Sequence, residues 1–402
     1  MRLLALALLA ACATVAPPAL TMPSAAVDPG APVTRIAFGS CNKQFESQAF
    51  WEVIAEADPD LFVYLGDNVY GDVRTDDPSL PELRAAYDDL ATNGQFASFR
   101  QAVPVLPVWD DHDYGRNDAG ADFPLKAASE ALFEDVWALD ADDPRRGRAG
   151  VYHAETFGPE GQRVQLILLD TRYHRSALTP TDERGAMGRE RYLASTDLAQ
   201  TMLGAEQLAW LEDALSDPAD LRVLVTSVQL IADGHGWEAW ATMPLARERL
   251  YAMLADAQAD GPPVVVVSGD RHRGGLYRTE AGGGLTELTA SSLNDGFDGG
   301  RRRGRIGSDR WCRTRTSGCS RSTGGATSSP SPSSAWTGRG VSPWPSRSTE
   351  HGAPSRWRGR GRRAGRPRRG ARHGRRPPAR RARPPTRGRR DPSAPPSPGR
   401  VG

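Results

Sequence analysis

The residues of this 402-residue chain that could do chemistry fall into five short clusters. Cys41 ends Gly39-Ser40-Cys41. Asp67 and Tyr70 share Gly66-Asp67-Asn68-Val69-Tyr70. Asp110-Asp111-His112-Asp113 follows, with Asn117 close behind, then Asp170-Thr171-Arg172 and Gly269-Asp270-Arg271-His272. Gathered in one place, so many carboxylates would repel one another unless a cation neutralised them. Carboxylate oxygens, imidazole nitrogens, a thiolate and a phenolate together make a ligand set for two adjacent metal ions. A bridging aspartate, a water shared between the metals and a nearby histidine would suit in-line attack on phosphorus. Each cluster alone has a plainer reading. Asp67 after a glycine is a turn residue, His112 a salt-bridged surface histidine, Cys41 a small buried residue, and Asp270 to His272 a solvated loop. Their order and placement favour the chemical reading.

That placement comes from the elements between them. Thr34–Ser40, Leu61–Leu65, Val105–Trp109, Val164–Leu169, Leu221–Val228 and Val264–Ser268 read as strands, mostly continuous apolar runs of the buried kind. Ala49–Ala57, Pro81–Phe99, Lys126–Trp137, Ala205–Leu215 and Leu245–Ala259 read as helices. Strands alternating with helices predict a layered α/β fold with buried sheets. Each cluster directly follows a strand, and α/β sheets bind ligands beyond the carboxyl ends of their strands. The five clusters are therefore expected along one edge.

These motifs, in this order, resemble the PhoD-like alkaline phosphatases of the calcineurin-like metallophosphoesterase superfamily, over roughly Arg35 to Asn294. The resemblance implies two β-sheets packed face to face and flanked by helices. It also implies a di- or trinuclear centre, commonly iron with calcium, that hydrolyses phosphate esters. Carried over by position, Asp67 would bridge two metals; Cys41, Tyr70 and His272 would ligate the iron; Asp111 and Asp270 would ligate the second metal. His112 would protonate the leaving oxygen or stabilise developing charge, Asn117 would hold a further ion or the phosphate, and Arg172 would contact substrate phosphate through its planar fork. Esters of phospholipid or teichoic-acid-like polymers are the alternative substrates. The immunoglobulin-like domain that often precedes the catalytic domain in this family is not expected, because only a short linker precedes Arg35.

Composition divides the chain. The net charge of +2 hides 28 arginines and three acids after residue 300, so residues 1–300 carry about −23 and the remainder about +25. The arginine-rich stretch has no Leu, Phe, Tyr or Met and cannot bury enough apolar surface to offset chain entropy. The expected organisation is a signal peptide and lipobox at 1–12 with lipidation at Cys12, a linker at 13–33, the catalytic domain at 34–294 and a disordered stretch at 295–402. Leu9-Ala10-Ala11-Cys12 carries the lipobox reading; an ordinary signal peptide cut later is its alternative. Either reading exports the protein, to a periplasm or cell surface. Cys41 is the single cysteine of the foldable part, so no disulfide framework is expected.

The family pattern stops near Asp295, leaving the second sheet without its last strands and with an unpaired edge. Read one frame over, residues 315–324 permit Asn-Phe-Gly-Leu-Leu-Glu-Ile-Asp-Trp, close to the segment the family carries next. A frameshift between about Asn294 and Arg305 accounts for this. The competing reading is an arginine-rich extension that binds polyanions, on an inactive surface protein. The acidic balance of residues 1–300 argues against nucleic acid as a partner.

Overall fold

The computed structural model describes residues 21–296 and the backbone of residues 311–312. All lie in the first of two compact units, Met1–Thr337. The lipobox with Cys12, and the arginine-rich stretch apart from its first two residues and 311–312, lie outside the described residues.

The chain runs β1 (Ile36–Gly39), α1 (Phe50–Glu56), β2 (Leu61–Tyr64), α2 (Pro81–Thr92), α3 (Gly94–Ala102), β3 (Val105–Leu106), the single turn α4 (Asp111–Tyr114) and α5 (Lys126–Val136). It continues β4 (His153–Phe157), β5 (Val164–Leu168), the short pair β6 (Thr179–Pro180) and β7 (Tyr192–Leu193), α6 (Gly204–Ser216), β8 (Leu221–Thr226) and α7 (Pro244–Ala259). It closes with β9 (Val264–Ser268), β10 (Gly274–Thr279), β11 (Leu285–Ala290) and β12 (Trp311–Cys312). This is the mixed α/β class expected. No helix among the described residues is long and apolar enough to cross a membrane.

A parallel three-stranded sheet has the order β1-β2-β3, and a seven-stranded sheet the order β12-β10-β11-β9-β8-β5-β4. In the larger sheet β11, β9, β8 and β5 run parallel, and β4 and β10 join antiparallel. Strand alternation sorts its side chains into two cores. Leu166, Leu168, Val223, Val225 and Val267 face the small sheet and the aromatic cluster around Trp51, Phe62 and Phe99. Ile167, Leu224 and Val266 face Leu208, Leu211 and Leu215 of α6 and Leu250 and Leu254 of α7. The face-to-face arrangement with flanking helices follows.

The sheets meet at their carboxyl ends. Ser40 after β1 bridges Ser291 after β11, and Leu293 donates its N–H to the Ser40 carbonyl at 2.8 Å. The seam is tight. A Cβ on Gly269 would sit 2.7 Å from both the Leu65 carbonyl and Ser40 Oγ, so only glycine fits there.

Three elements differ from expectation. The helix expected over Pro81–Phe99 is two helices, broken at Asn93. Asn93 leaves helical geometry at φ −67°, ψ 117°, and its side chain accepts from the Gln95 and Phe96 N–H groups as a cap for α3. The strand expected over Val105–Trp109 stops at Leu106, because Pro107 has no N–H to continue the ladder. The larger sheet also continues past β10: Trp311 and Cys312 of the arginine-rich stretch pair with Gly275 and Gly274. Leu276–Thr279 lack a partner on that side among the described residues. An open strand edge offers N–H and C=O groups to any extended segment, whatever its composition.

Candidate metal centre and active site

Four of the expected ligands depend on an unusual backbone. Cys41, Asp67, Asp270 and His272 all have left-handed φ, between 51° and 59°, as does Asp118 at 55°. Such non-glycine residues cost about 1–3 kcal/mol each and persist only where surroundings over-determine them. The four ligands sit where strand ends must turn sharply to keep their side chains at the seam, and Asp118 sits in the loop after α4. Gly66 makes the approach possible. At φ 97° its Cβ would lie 2.4 Å from the Asp110 Cβ, so β2 and the Asp110 loop could not come together with any larger residue.

One ligand group closes around Asp67. Cys41 Sγ lies 3.3 Å from Asp67 Oδ2 and 2.9 Å from Ser291 Oγ. The Tyr70 hydroxyl lies 3.4 Å from Asp67 Oδ2 and 2.9 Å from His272 Nε2. His272 Nδ1 is 3.0 Å from Asp295, which also pairs with Lys43 at 2.7 Å. Asp295 thus fixes the ring so that Nε2 faces the cluster, as carboxylates do behind metal-binding histidines. Ligand atoms of Cys41, Asp67 and His272 all lie within 4.8 Å of one another.

A second group of the same spread joins Asp67, Asp111 and His112. Asp67 is common to both groups, as a bridging carboxylate requires. The turn that presents them is held by Asp113, which accepts from the N–H groups of Asp110, Asp67 and Asn68 at 2.6, 3.3 and 3.0 Å. The His112 N–H reaches Asp67 Oδ1 at 3.2 Å, and its Nδ1 lies 2.8 Å from Asp72. Asp270 stands outside both groups. Its Oδ2 is buried without a hydrogen bond, with Arg271 3.8 Å away.

Electrostatics bears on whether this cluster suits a cation. Burial pushes the Cys41 thiol well above its usual range, and Asp67 adds to it. Burial, then Asp111, raises Asp67 well above the carboxylate range. Burial lifts Asp270 to about 7 against the pull of Arg271. At His112 burial opposes the charge, but Asp111, Asp67 and Asp72 outweigh it and push the ring up to about 11. Thiol, phenol and carboxylates are therefore crowded where their charged forms need a cation. The donor set, an unsatisfied carboxylate oxygen and a shared aspartate all fit bound metal ions.

A third acidic grouping, Asp111 with Asp118 and Glu238, does not fit a cation in the same way. Glu238 is already paired with Arg172 at 2.8 Å and Arg175 at 3.0 Å, and Asp118 with Arg191 at 2.5 Å.

Arg172 requires a correction. It was expected to touch substrate phosphate, yet it is fully buried. Its Nε donates to Asp110 at 2.6 Å and its Nη1 to both Glu238 oxygens at 2.9 and 2.8 Å. The guanidinium is enclosed between Asp110 and Glu238, with Nη2 also against Asp110; Arg172 ties the Asp110 turn to the loop carrying Glu238. Asn117 belongs to neither metal group. Its N–H donates to Asp72 at 3.0 Å, and the residue lines an adjoining pocket. Sequence reasoning missed Asp72, Asp118, Glu238 and Asp295. Asp72 follows Tyr70 by two residues and Asp118 adjoins Asn117, so both were within reach of motif reading; Glu238 and Asp295 carry no local signal.

A profile of the PhoD-like phosphatases matches residues 36–316. The chain belongs to the PhoD-like phosphatase family. That match runs past residue 294, where sequence reading ended the domain, and takes in Asp295 and β12. The solved structure of PhoD is similar in fold, with a TM-score of 0.52 at 20% identity, over 67% of this chain and 58% of that one. The chain thus spans under two thirds of the PhoD structure it matches. No curated protein sequence matches it.

Proposed function

We propose that this chain is a metal-dependent phosphoesterase that releases phosphate from organic phosphate esters. The observation that carries the reading is Asp67, shared by two ligand groups with His112 at its side. Cys41, Tyr70, His272 and Asp67 would hold one ion, iron by family resemblance; Asp67 and Asp111, with Asp270, would hold a second, calcium by the same resemblance. Bound metals there would polarise the phosphoryl oxygens and supply an activated water. The protein's own part is orientation. Asp295 fixes His272, and Asp113 fixes the turns carrying Asp67 and Asp111. Asp72 anchors His112 at Nδ1, leaving Nε2 to protonate the leaving oxygen or meet developing charge. The Leu9–Cys12 lipobox supports export and lipid anchoring as part of the same proposal.

Purified protein supplied with iron and calcium is expected to release phosphate from a monoester such as p-nitrophenyl phosphate, and chelation to stop it. Turnover of bis-p-nitrophenyl phosphate alone would move the assignment to a phosphodiesterase. No turnover of either with both metals bound would overturn the proposal.

The arginine-rich stretch belongs with this proposal as a frameshift between about Asn294 and Arg305. Resequencing the locus is expected to restore the Asn-Phe-Gly-Leu-Leu-Glu-Ile-Asp-Trp frame. A clean read that retains the present frame would overturn the idea.

A further inference from the structure

Beside the candidate metal centre lies a pocket of about 380 Å³ lined by Asn117, Asp118, Pro180, Arg184, Arg191 and Tyr192. Its floor is joined to the centre through the backbone. The Asp118 N–H donates to Asp111 Oδ2 at 2.6 Å, and the Asn117 N–H donates to Asp72, which holds His112. Its roof is the segment between β6 and β7.

The charges of this pocket do not cancel. Asp118, its one acid, is paired: Arg191 lies 2.5 Å from its Oδ2, and the Tyr192 hydroxyl donates to the same oxygen at 2.7 Å. Arg191 also lies over the Trp237 ring, 4.7 Å from the centroid. Arg184 is left. The acids nearest it in sequence, Asp182 and Glu183, pair with Arg189 at 3.2 and 3.1 Å instead. Among the described residues Arg184 has no hydrogen-bond or ion-pair partner, and it lines the pocket with one uncompensated positive charge.

We infer that Arg184 recognises a second anionic group on the substrate, a carboxylate or a second phosphate carried by the leaving-group side of the ester. A planar guanidinium that spends none of its donors within the protein is suited to bidentate capture of such a group. The inference rests on the phosphoesterase reading for the word substrate, but the anion subsite itself stands on Arg184 and the pocket.

Calorimetric binding with turnover as a separate readout separates the two. The probes are phenyl phosphate and 4-carboxyphenyl phosphate, titrated into the full-length protein. The carboxylated probe is expected to bind about fivefold more tightly, the range of one exposed charge pair. Arg184→Ala is expected to bring the two affinities within twofold, and Arg184→Lys to restore part of the difference. Arg184 is exposed, so folding is not at risk. Equal affinities in the unaltered protein, or a preference that survives Arg184→Ala, would overturn the inference. A preference lost in Arg184→Ala, in protein that turns over neither probe, would support the subsite and count only against the phosphoesterase reading.

Discussion

An Asp67→Asn protein is expected to lose phosphate-releasing activity by about a thousandfold, several kcal/mol of transition-state stabilisation. Its thermal midpoint in metal-free buffer is expected to hold level or rise. The two readouts part company because, on the proposed function, Asp67 serves ions rather than the fold. Its carboxylate is buried among Asp111, Asp110 and Asp113, whose charges oppose its own. Removing that charge relieves repulsion while removing the one ligand both metal groups share. Metal content by elemental analysis should fall alongside activity. Full hydrolysis by the variant would overturn the shared-ligand assignment. A lowered midpoint would show that the carboxylate's contacts with Cys41, Tyr70 and the His112 N–H contribute more to the fold than its charge costs.

Arg172→Leu is expected to act on the other readout. Taking one partner from a buried ion pair leaves charge stranded in a low-dielectric interior and costs about 3–5 kcal/mol. Here two carboxylates, Asp110 and Glu238, lose a partner at once. Against a total stability of about 5–15 kcal/mol, that is a large fraction. The denaturation midpoint should fall steeply, and Arg172→Leu combined with Asp110→Asn should recover part of the loss, because Asp110 loses its paired cation whereas Glu238 keeps Arg175. A well-folded Arg172→Leu protein with a raised KM and unchanged stability would instead restore the phosphate-contact role expected from sequence.

Arg172 also shows where sequence reading runs out. The strands were legible because continuous apolar runs such as Val264–Ser268 have few other homes, and the ligand clusters because each follows such a run. Cys41, Asp67, Tyr70 and His272 accordingly meet in the structure. Whether a polar residue at a strand end faces the cleft or the interior depends on partners far along the chain. Arg172 meets Glu238 66 residues later, and nothing near Arg172 announces it. Asp295, behind His272, lies past the point where the motif pattern stops. The break at Asn93 was legible in principle, since Asn-Gly within a helical pattern offers both a cap and a flexible joint. It was outweighed by the apolar spacing on either side.

The seam between Ser40 and Ser291 has a consequence for the order in which the molecule is made. Cys41 and its hydrogen-bond partner Ser291 are 250 residues apart, and His272 follows Tyr70 by 202. At about 5–20 residues per second, the ribosome delivers His272 roughly 10–40 s after Tyr70. Throughout that interval the small sheet can form and display Cys41, Asp67 and Tyr70 with no partner to complete the set. Ion capture at the proposed centre would therefore follow the meeting of the two sheets rather than nucleate it. A loaded centre would report that the chain has passed residue 272 and that the two sheets have closed on each other.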